Sequence, residues 1–163
     1  MVSAASYRES NELVMPHLGQ REGASAAVQR VLVSNFPGLP EPVGTYSHVA
    51  IDSVTGLIAI AGQVGIDPDT EQLAASPEQQ CVLALRNAIA AVVAAGGTPG
   101  SILRLTAYLA DKNLIGAYRH ARNTEYERLG LRPPPHLLVV VSALGHDEYV
   151  IEVDALAVRA MSA

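Results

Sequence analysis

The sequence has a single cysteine, Cys81, among its 163 residues. One thiol excludes a disulfide within the chain and suits a reducing compartment such as the cytoplasm. No apolar run approaches the roughly 20 residues that a membrane-spanning helix needs. The N-terminus lacks the charged start and apolar run of an export signal. We therefore expect a soluble cytoplasmic protein with no membrane partner.

Metal and nucleotide motifs are also missing. The sequence contains no HExxH, no paired CxxC and no P-loop, so it predicts neither a metal site nor a cofactor. Positive charge is scarce as well: the net charge is −5, and the pI is near 5.4. Nucleic-acid binding needs a concentrated basic surface, so nucleic acid is not expected as a partner. Glu125 and Glu127 dilute the basic cluster Arg119, Arg122 and Arg128, which predicts a solvated helix face.

What remains is an apolar chain with strong local patterns. Hydrophobic residues make up 49% of the sequence and charged residues 17%, as in one globular domain. Residues 1–28 are polar and small with no sustained period, which predicts an N-terminal extension before a domain of residues 29–160. Six apolar, strand-like runs follow: "RVLVSNF", "TYSHVAID", "LIAIAGQV", "SILRLTAYLA", "PHLLVVVSAL" and "YVIEVDALAV".

Two helices are predicted between these runs. The first begins at Ser76, with Pro77 in its first turn and Gln79 completing a capping box, and ends at Gly96. The second spans about 114–129. The order β-β-β-α-β-α-β-β predicts an α+β sandwich with both helices on one face of a mixed sheet.

The other face of this sheet should be apolar. The apolar strand residues cannot all point into one helix layer, which suggests an oligomer. These residues are Leu57, Ile58, Ile60, Val139 and Val141. The run "LIAIAGQV" is apolar at nearly every position, as expected for a strand covered on both faces.

Five segments together resemble the YjgF/RidA family, from about residue 30 to 159. They are "VLVSNFPGLPEPVGTYSHVAI", "IAIAGQVGIDPDT", "TAYLADKNL", "RPPPHLLVVVSAL" and "IEVDALAV". The resemblance implies a chorismate-mutase-like fold that closes as a homotrimeric barrel, with small-molecule sites in clefts between subunits. It also implies hydrolysis of reactive enamines and imines, such as 2-aminoacrylate, to a 2-keto acid and ammonia.

The resemblance assigns the family's site positions to residues of this sequence, and several of these residues differ from the family pattern. His136 takes the place of the arginine that clamps the substrate carboxylate in the deaminating members. Leu138 takes a position that is usually small or a cysteine, and Ala61 replaces a common serine. Asn123 fits the asparagine of the family if about one helical turn is inserted ahead of it; otherwise Arg119 takes that position.

The matching residues are Tyr46, Gly62, Gln63 and Glu152. A partly desolvated Glu152 has the chemistry of a general acid or base, and an outward-facing strand glutamate is the alternative. Tyr46 can donate a hydrogen bond or stack on a flat substrate, or can be a core tyrosine. Gly62 allows close approach to a ligand, or marks a bulge.

Asp154 and His48 lie close to these residues in the strands. Asp154 has the side-chain direction of Glu152, and a carboxylate pair there would raise one of the two pKa values. His48 shares the strand face of Tyr46, although a solvent-facing histidine is the more ordinary interpretation.

His136 leaves two functions open. A mostly uncharged imidazole can act with Glu152 as a proton shuttle, or can simply fill the space of a lost anion site. We favour an enzyme that hydrolyses an imine or enamine, or carries out an altered acid–base reaction, in a cleft between subunits. The alternatives are a non-catalytic metabolite-binding or protein-protective trimer, and a lyase, tautomerase or cyclase.

Overall fold

The computed structural model describes residues 31–36, 38–40, 42 and 44–159. The predicted extension, residues 1–28, lies outside the described residues. Across the described ranges, no helix combines the length and apolar character needed to span a membrane.

Six strands and two helices follow in the predicted order. They are β1 (Val31–Ser34), β2 (Val49–Asp52), β3 (Leu57–Val64), α1 (Pro77–Ala94), β4 (Ile102–Leu109), α2 (Ile115–Arg128), β5 (His136–Val140) and β6 (Ile151–Val158). Short 3₁₀ turns at Pro99–Ser101 and Lys112–Leu114 precede β4 and α2. The strands form one sheet in the order β1-β2-β3-β6-β4-β5, in which only β4 and β5 run parallel. The predicted α+β fold with a mixed sheet is confirmed.

The caps of α1 follow from its sequence. The Ser76 side chain accepts a hydrogen bond from the backbone N–H of Gln79 at 3.2 Å, and Pro77 opens the helix. After the last turn, Gly96 adopts a φ of 87°, a conformation that costs a glycine little.

Both helices cover one face of the sheet. Helix α1 buries Cys81, Ala84, Leu85, Ala88 and Val92 against it, and α2 adds Tyr118, Ala121 and Tyr126. The sheet contributes Ile58, Ile60, Leu105, Ala107, Leu109, Ile151, Val153, Ala155 and Ala157. This layer is the hydrophobic core.

The opposite face of the sheet, called the open face below, is apolar and uncovered in the single chain. Ile58 and Ile60, which were expected to contribute to this face, belong to the core. Leu57, with 37% of its surface exposed, and Leu137, with 50% exposed, point the other way. The alternation of side chains along each strand accounts for this division.

Two buried polar side chains of α1 fix the strand ends that later carry the site. Asn87 Nδ2 donates to the carbonyl oxygens of Val64, the last residue of β3, at 3.0 Å and of Ile66 at 2.8 Å. Gln80 Nε2 donates to the carbonyl oxygen of Glu148 at 3.1 Å, and Gln80 Oε1 accepts from the N–H of Val150 at 3.1 Å. The helix therefore sets the position of the end of β3 relative to the start of β6.

Gly65→Ala should weaken this attachment. A Cβ at residue 65 would lie 2.5 Å from Gln80 Cα, a backbone atom that cannot move alone. We expect a loss of about 1–3 kcal/mol in the free energy of unfolding, as for other overpacked sites. Gly116→Ala is the matched control, since nothing lies within 4 Å of its added Cβ. Urea denaturation of both variants measures the difference, and equal stabilities would contradict the proposed packing.

Candidate active site between β3 and β6

A β-bulge in β3 shapes the site. Ile60 pairs with Ala155 and Gln63 pairs with Val153, so two residues of β3 lie opposite one residue of β6. The two residues within the bulge are Ala61 and Gly62. Pairing resumes after the bulge, where Val64 lies opposite Glu152.

The carboxyl group of Glu152 lies directly over Gly62. A Cβ built on Gly62 would come within 1.6 Å of Glu152 Oε1 and 2.4 Å of its Cδ. Any side chain at residue 62 would therefore displace the carboxyl group. Gly62 therefore lies in a bulge, and its missing side chain also leaves room for a close contact. The group that makes this contact in the structure is the Glu152 carboxyl.

Four of the predicted site residues line one pocket beside this contact. They are Tyr46, Gly62, Gln63 and Glu152. His48, Val64, His146 and Tyr149 complete much of the remaining wall, with the proline loop at Pro40 and Pro42 above it. Tyr46 is 44% exposed and stands at the surface of the pocket, whereas Gln63 is buried.

The surroundings of Glu152 favour its protonated form. Burial raises the pKa of the Glu152 carboxyl above its ordinary value, and the negative charge of Asp154 raises it further. Asp154 in turn accepts a hydrogen bond from the hydroxyl of Tyr108 at 3.2 Å. No hydrogen-bond donor among the described residues reaches the carboxylate of Glu152 to offset this shift. The expected effect of the carboxylate pair is therefore present in the structure.

His48 is not the solvent-facing histidine that we took as the more ordinary interpretation. Only 3% of it is exposed, and its Nε2 donates to the carbonyl oxygen of Pro40 at 2.7 Å. Because that carbonyl can only accept, Nε2 of His48 carries a proton. The ring thus fastens the proline loop to the start of β2 and holds Tyr46 near the pocket.

Tyr149 is a pocket residue that the sequence analysis missed. It precedes β6 by two residues, and its ring lies 5.2 Å from that of His146. Burial raises the pKa of its phenol, and so do the nearby groups of Tyr46, Glu148 and Glu152. The sequence analysis included Tyr149 in the run "YVIEVDALAV" as a strand residue, but β6 begins only at Ile151.

His136 lies apart from this pocket in the single chain. It pairs with Leu105 of β4 and stacks on Tyr118 of α2, with ring centroids 5.4 Å apart. His136 pairs with the core residue Leu105, so its side chain projects toward the helices. Glu152 pairs with Tyr108 and alternates with the buried Ile151 and Val153, so its side chain projects from the open face. Leu138 shares the face of His136 and packs against the core.

The electrostatic surroundings of His136 are basic. Burial lowers the pKa of its imidazole below the ordinary value, and the positive charges of Arg122 and Arg119 lower it further. The imidazole is therefore held in its neutral form. Asn123 is exposed on α2, where its side-chain oxygen accepts a hydrogen bond from Arg122 Nη2 at 3.1 Å. Neither Asn123 nor Arg119 lines the pocket beside Glu152.

Glu125 neutralises Arg128 of the basic cluster on α2, as predicted, but it does not lie on a solvated helix face. This carboxylate is only 5% exposed and forms ion pairs with Arg86 of α1 and Arg128. These contacts lower its pKa and join the two helices. Among the described residues, Glu125 therefore pairs with Arg128 and Arg86 and not with Arg119 or Arg122.

The described residues support neither a thiol nucleophile nor a metal site. Cys81 is fully buried, and burial followed by the charge of Glu78 raises its pKa to about 11, which makes it a poor nucleophile. Within the described part of the chain, no group of three or more His, Cys, Asp or Glu side chains could hold a metal ion.

Comparison with known proteins places this site in context. The model of a family described as endoribonuclease L-PSP matches residues 38–159. A RutC family protein of Pyrococcus abyssi is 30% identical over 121 residues, which cover 74% of this chain and 91% of the relative. TdcF of Escherichia coli strain K12, provisionally named a reactive intermediate deaminase, is 28% identical over 120 residues, with coverage of 74% and 91%.

Solved structures show the same architecture. Escherichia coli TdcF with bound serine matches with a TM-score of 0.72 and 26% identity, over 79% of this chain and 99% of that chain. The YjgF gene product of Escherichia coli matches with a TM-score of 0.72 and 26% identity, over 78% and 98%.

Gly62→Ala should displace the Glu152 carboxyl without unfolding the protein. The added Cβ meets the far end of a flexible side chain, which can rotate toward solvent. We expect the pKa of Glu152, followed by NMR titration, to fall toward the ordinary glutamate value. Gly145→Ala is the control, since nothing lies within 4 Å of its added Cβ. An unchanged Glu152 titration in Gly62→Ala would contradict the observed contact.

Proposed function

Because this chain belongs to the YjgF/RidA family, the family that the endoribonuclease L-PSP model describes, we propose that it is a cofactor-independent hydrolase of an imine or enamine. The observation that carries the proposal is the Glu152 carboxyl, held over Gly62 in a pocket with its pKa raised. A carboxyl group whose pKa lies nearer neutrality can give and take a proton during one catalytic cycle.

The reaction converts an imine and water into a carbonyl compound and ammonia. The protonated Glu152 carboxyl donates to the imine nitrogen, which makes the attached carbon more electrophilic. Water then adds to this carbon, and the Glu152 carboxylate takes one of its protons. Return of that proton to nitrogen makes ammonia the leaving group. Ammonia leaves as the carbon–oxygen double bond forms, and the Glu152 carboxylate takes the hydroxyl proton, which restores the protonated carboxyl for the next cycle. An enamine enters the same sequence after protonation at its carbon.

The other pocket residues have supporting roles in this proposal. Tyr46, exposed at the pocket mouth, can donate a hydrogen bond or stack on a flat unsaturated substrate. The buried amide of Gln63 donates to the carbonyl oxygens of Ala61 at 3.0 Å and Gly62 at 3.3 Å, which holds the bulge in shape. The buried thiol of Cys81 is compatible with the cytoplasm, where we place the protein.

We also propose that two copies of the chain complete the site. His136 and Glu152 project from opposite faces of one sheet, so they can act on one substrate only if they come from different subunits. The apolar open face, with Leu57 and Leu137 exposed, supports self-association. We infer a homotrimer with an active-site cleft at each of its interfaces.

Glu152→Gln should remove the acid–base group and leave the fold intact. We expect kcat for imine hydrolysis to fall by about 100-fold or more, as for the loss of other general acid–base groups. The exposed Glu127→Gln is the control, and equal rates in the two variants would exclude Glu152 from the mechanism.

Glu152→Gln should also show how much the buried negative charge of Glu152 destabilises the fold. A carboxyl pKa raised in the folded state contributes stability at low pH that is lost as pH rises through that pKa. The melting temperature of Glu152→Gln relative to wild type should therefore be higher at pH 7.5 than at pH 4.

A mixing experiment tests the shared cleft. His136→Ala and Glu152→Gln should each be inactive alone, but refolding them together should restore activity. In randomly mixed trimers, about a quarter of the clefts take both intact residues from different subunits. Full activity of His136→Ala alone would remove this residue from the mechanism. Absence of recovery, with mixed trimers demonstrated by native mass spectrometry, would overturn the shared cleft.

A further inference from the structure

The pocket beside Glu152 gathers ring side chains from a chain that has few of them. The sequence contains 6 tyrosines, 1 phenylalanine, no tryptophan and 5 histidines. Tyr46, Tyr149, His48 and His146 all line this one pocket. No lysine or arginine occurs among the described residues that line it. The composition of the pocket wall therefore favours contact with an uncharged ring over contact with an anion.

A tight turn places two of these rings side by side. The backbone N–H of Tyr149 donates to the carbonyl oxygen of His146 at 3.0 Å, which closes a four-residue turn. His146 Nδ1 accepts from the N–H of Glu148 at 3.3 Å, and this bond orients the imidazole. The ring centroids of His146 and Tyr149 lie 5.2 Å apart, with the ring planes tilted by 39°. These two rings and that of Tyr46 are called the ring wall below.

Gln80 holds Tyr149 in place from both sides. The side-chain amide of Gln80 donates to the carbonyl oxygen of Glu148 and accepts from the N–H of Val150, each at 3.1 Å, and Tyr149 is the residue between them. Gln80 itself is only 5% exposed. A ring that is already fixed loses little freedom when a ligand binds. Gln80 is therefore a positioning residue for Tyr149.

The pocket has room for one ring next to the reacting group. Its volume is about 210 Å³, which exceeds the roughly 150 Å³ of an apolar cavity that accepts benzene. Burial raises the pKa of the Tyr149 phenol, and the nearby groups of Tyr46, Glu148 and Glu152 raise it further. The phenol is thus uncharged and lies close to the carboxyl group of Glu152. A ligand that reaches Glu152 would contact the ring wall.

We propose that the ring wall selects imines whose carbon bears a flat, uncharged substituent, aromatic or conjugated, and that Tyr149 is the specificity-determining residue. The inference rests on the function proposed above and names the side group of its substrate. A flat substituent stacks on the ring of Tyr149 while the carbon–nitrogen bond stays beside Glu152. A saturated substituent of the same size buries similar area but gains no stacking.

Binding of two stable amides to the full chain tests the inference without catalysis. Benzamide and cyclohexanecarboxamide both carry nitrogen on a trigonal carbon, as an imine does, and they differ in whether the six-membered ring is flat. We expect NMR titration to show that benzamide binds about threefold more tightly or better, the range that aromatic contact adds beyond buried area. Equal affinities, or no binding of either amide at millimolar concentration, would overturn the inference.

Variants locate the preference within the ring wall. Tyr149→Phe keeps the ring and should keep the affinity ratio of the two amides, whereas Tyr149→Leu should bring the ratio close to one. His146→Leu should also lower it. His120→Leu, which removes an exposed imidazole from α2, is the control and should leave the ratio unchanged. A wild-type ratio in Tyr149→Leu, or loss of the preference in Tyr149→Phe, would contradict stacking on this ring.

Kinetics separate this inference from the proposed function. If the protein hydrolyses imines, Tyr149→Leu should raise KM for the imine of benzaldehyde but not for that of cyclohexanecarbaldehyde, with kcat little changed. If it hydrolyses none, the proposed function fails, while the affinity ratio of the two amides still decides the inference.

Discussion

The close contact between the Glu152 carboxyl and the backbone of Gly62 is the constraint on which the site depends. It requires a bulge in β3, a residue without a side chain at position 62, and a fixed distance between two strand ends. Helix α1 supplies that distance through Asn87 and Gln80, whose side-chain amides bind the backbone after β3 and before β6. A surface helix thus controls the environment, and with it the pKa, of a carboxyl group on the sheet.

The two faces of the sheet have different tasks. The face under the helices holds the core, and on this side His136 lies against Tyr118. The open face holds exposed leucines and, among them, the carboxylates of Glu152 and Asp154. Polar groups within an apolar surface are costly to bury without partners. In the proposed trimer their position at an interface is therefore better explained by chemistry than by stability.

Much of the fold could be predicted because its signals are local. Ser76 and Pro77 mark the start of α1, and the apolar runs give the strands in their correct order. The placement of Tyr46 and Glu152 in one pocket agrees with the motifs that suggested them, while their roles stay predictions. The sheet faces were harder to assign, because a continuous apolar run does not tell which of its residues face the helices.

The remaining features depend on contacts between distant residues. His48 is buried because a carbonyl eight residues earlier accepts from its ring. Glu125 pairs with its neighbour Arg128 on α2, but its second partner, Arg86, lies 39 residues away. The orientation of His136 depends on the pairing of β5 with β4 and on the ring of Tyr118. None of these contacts leaves a periodic pattern in the sequence.

Glu152 and His136 have opposite electrostatic surroundings. Burial and Asp154 favour the protonated form of Glu152, whereas burial and the two arginines favour neutral His136. Proton exchange between a neutral acid and a neutral base separates charge, and nearby guanidinium groups oppose formation of an imidazolium. The acid at Glu152 is therefore better suited to give its proton to the substrate nitrogen than to His136.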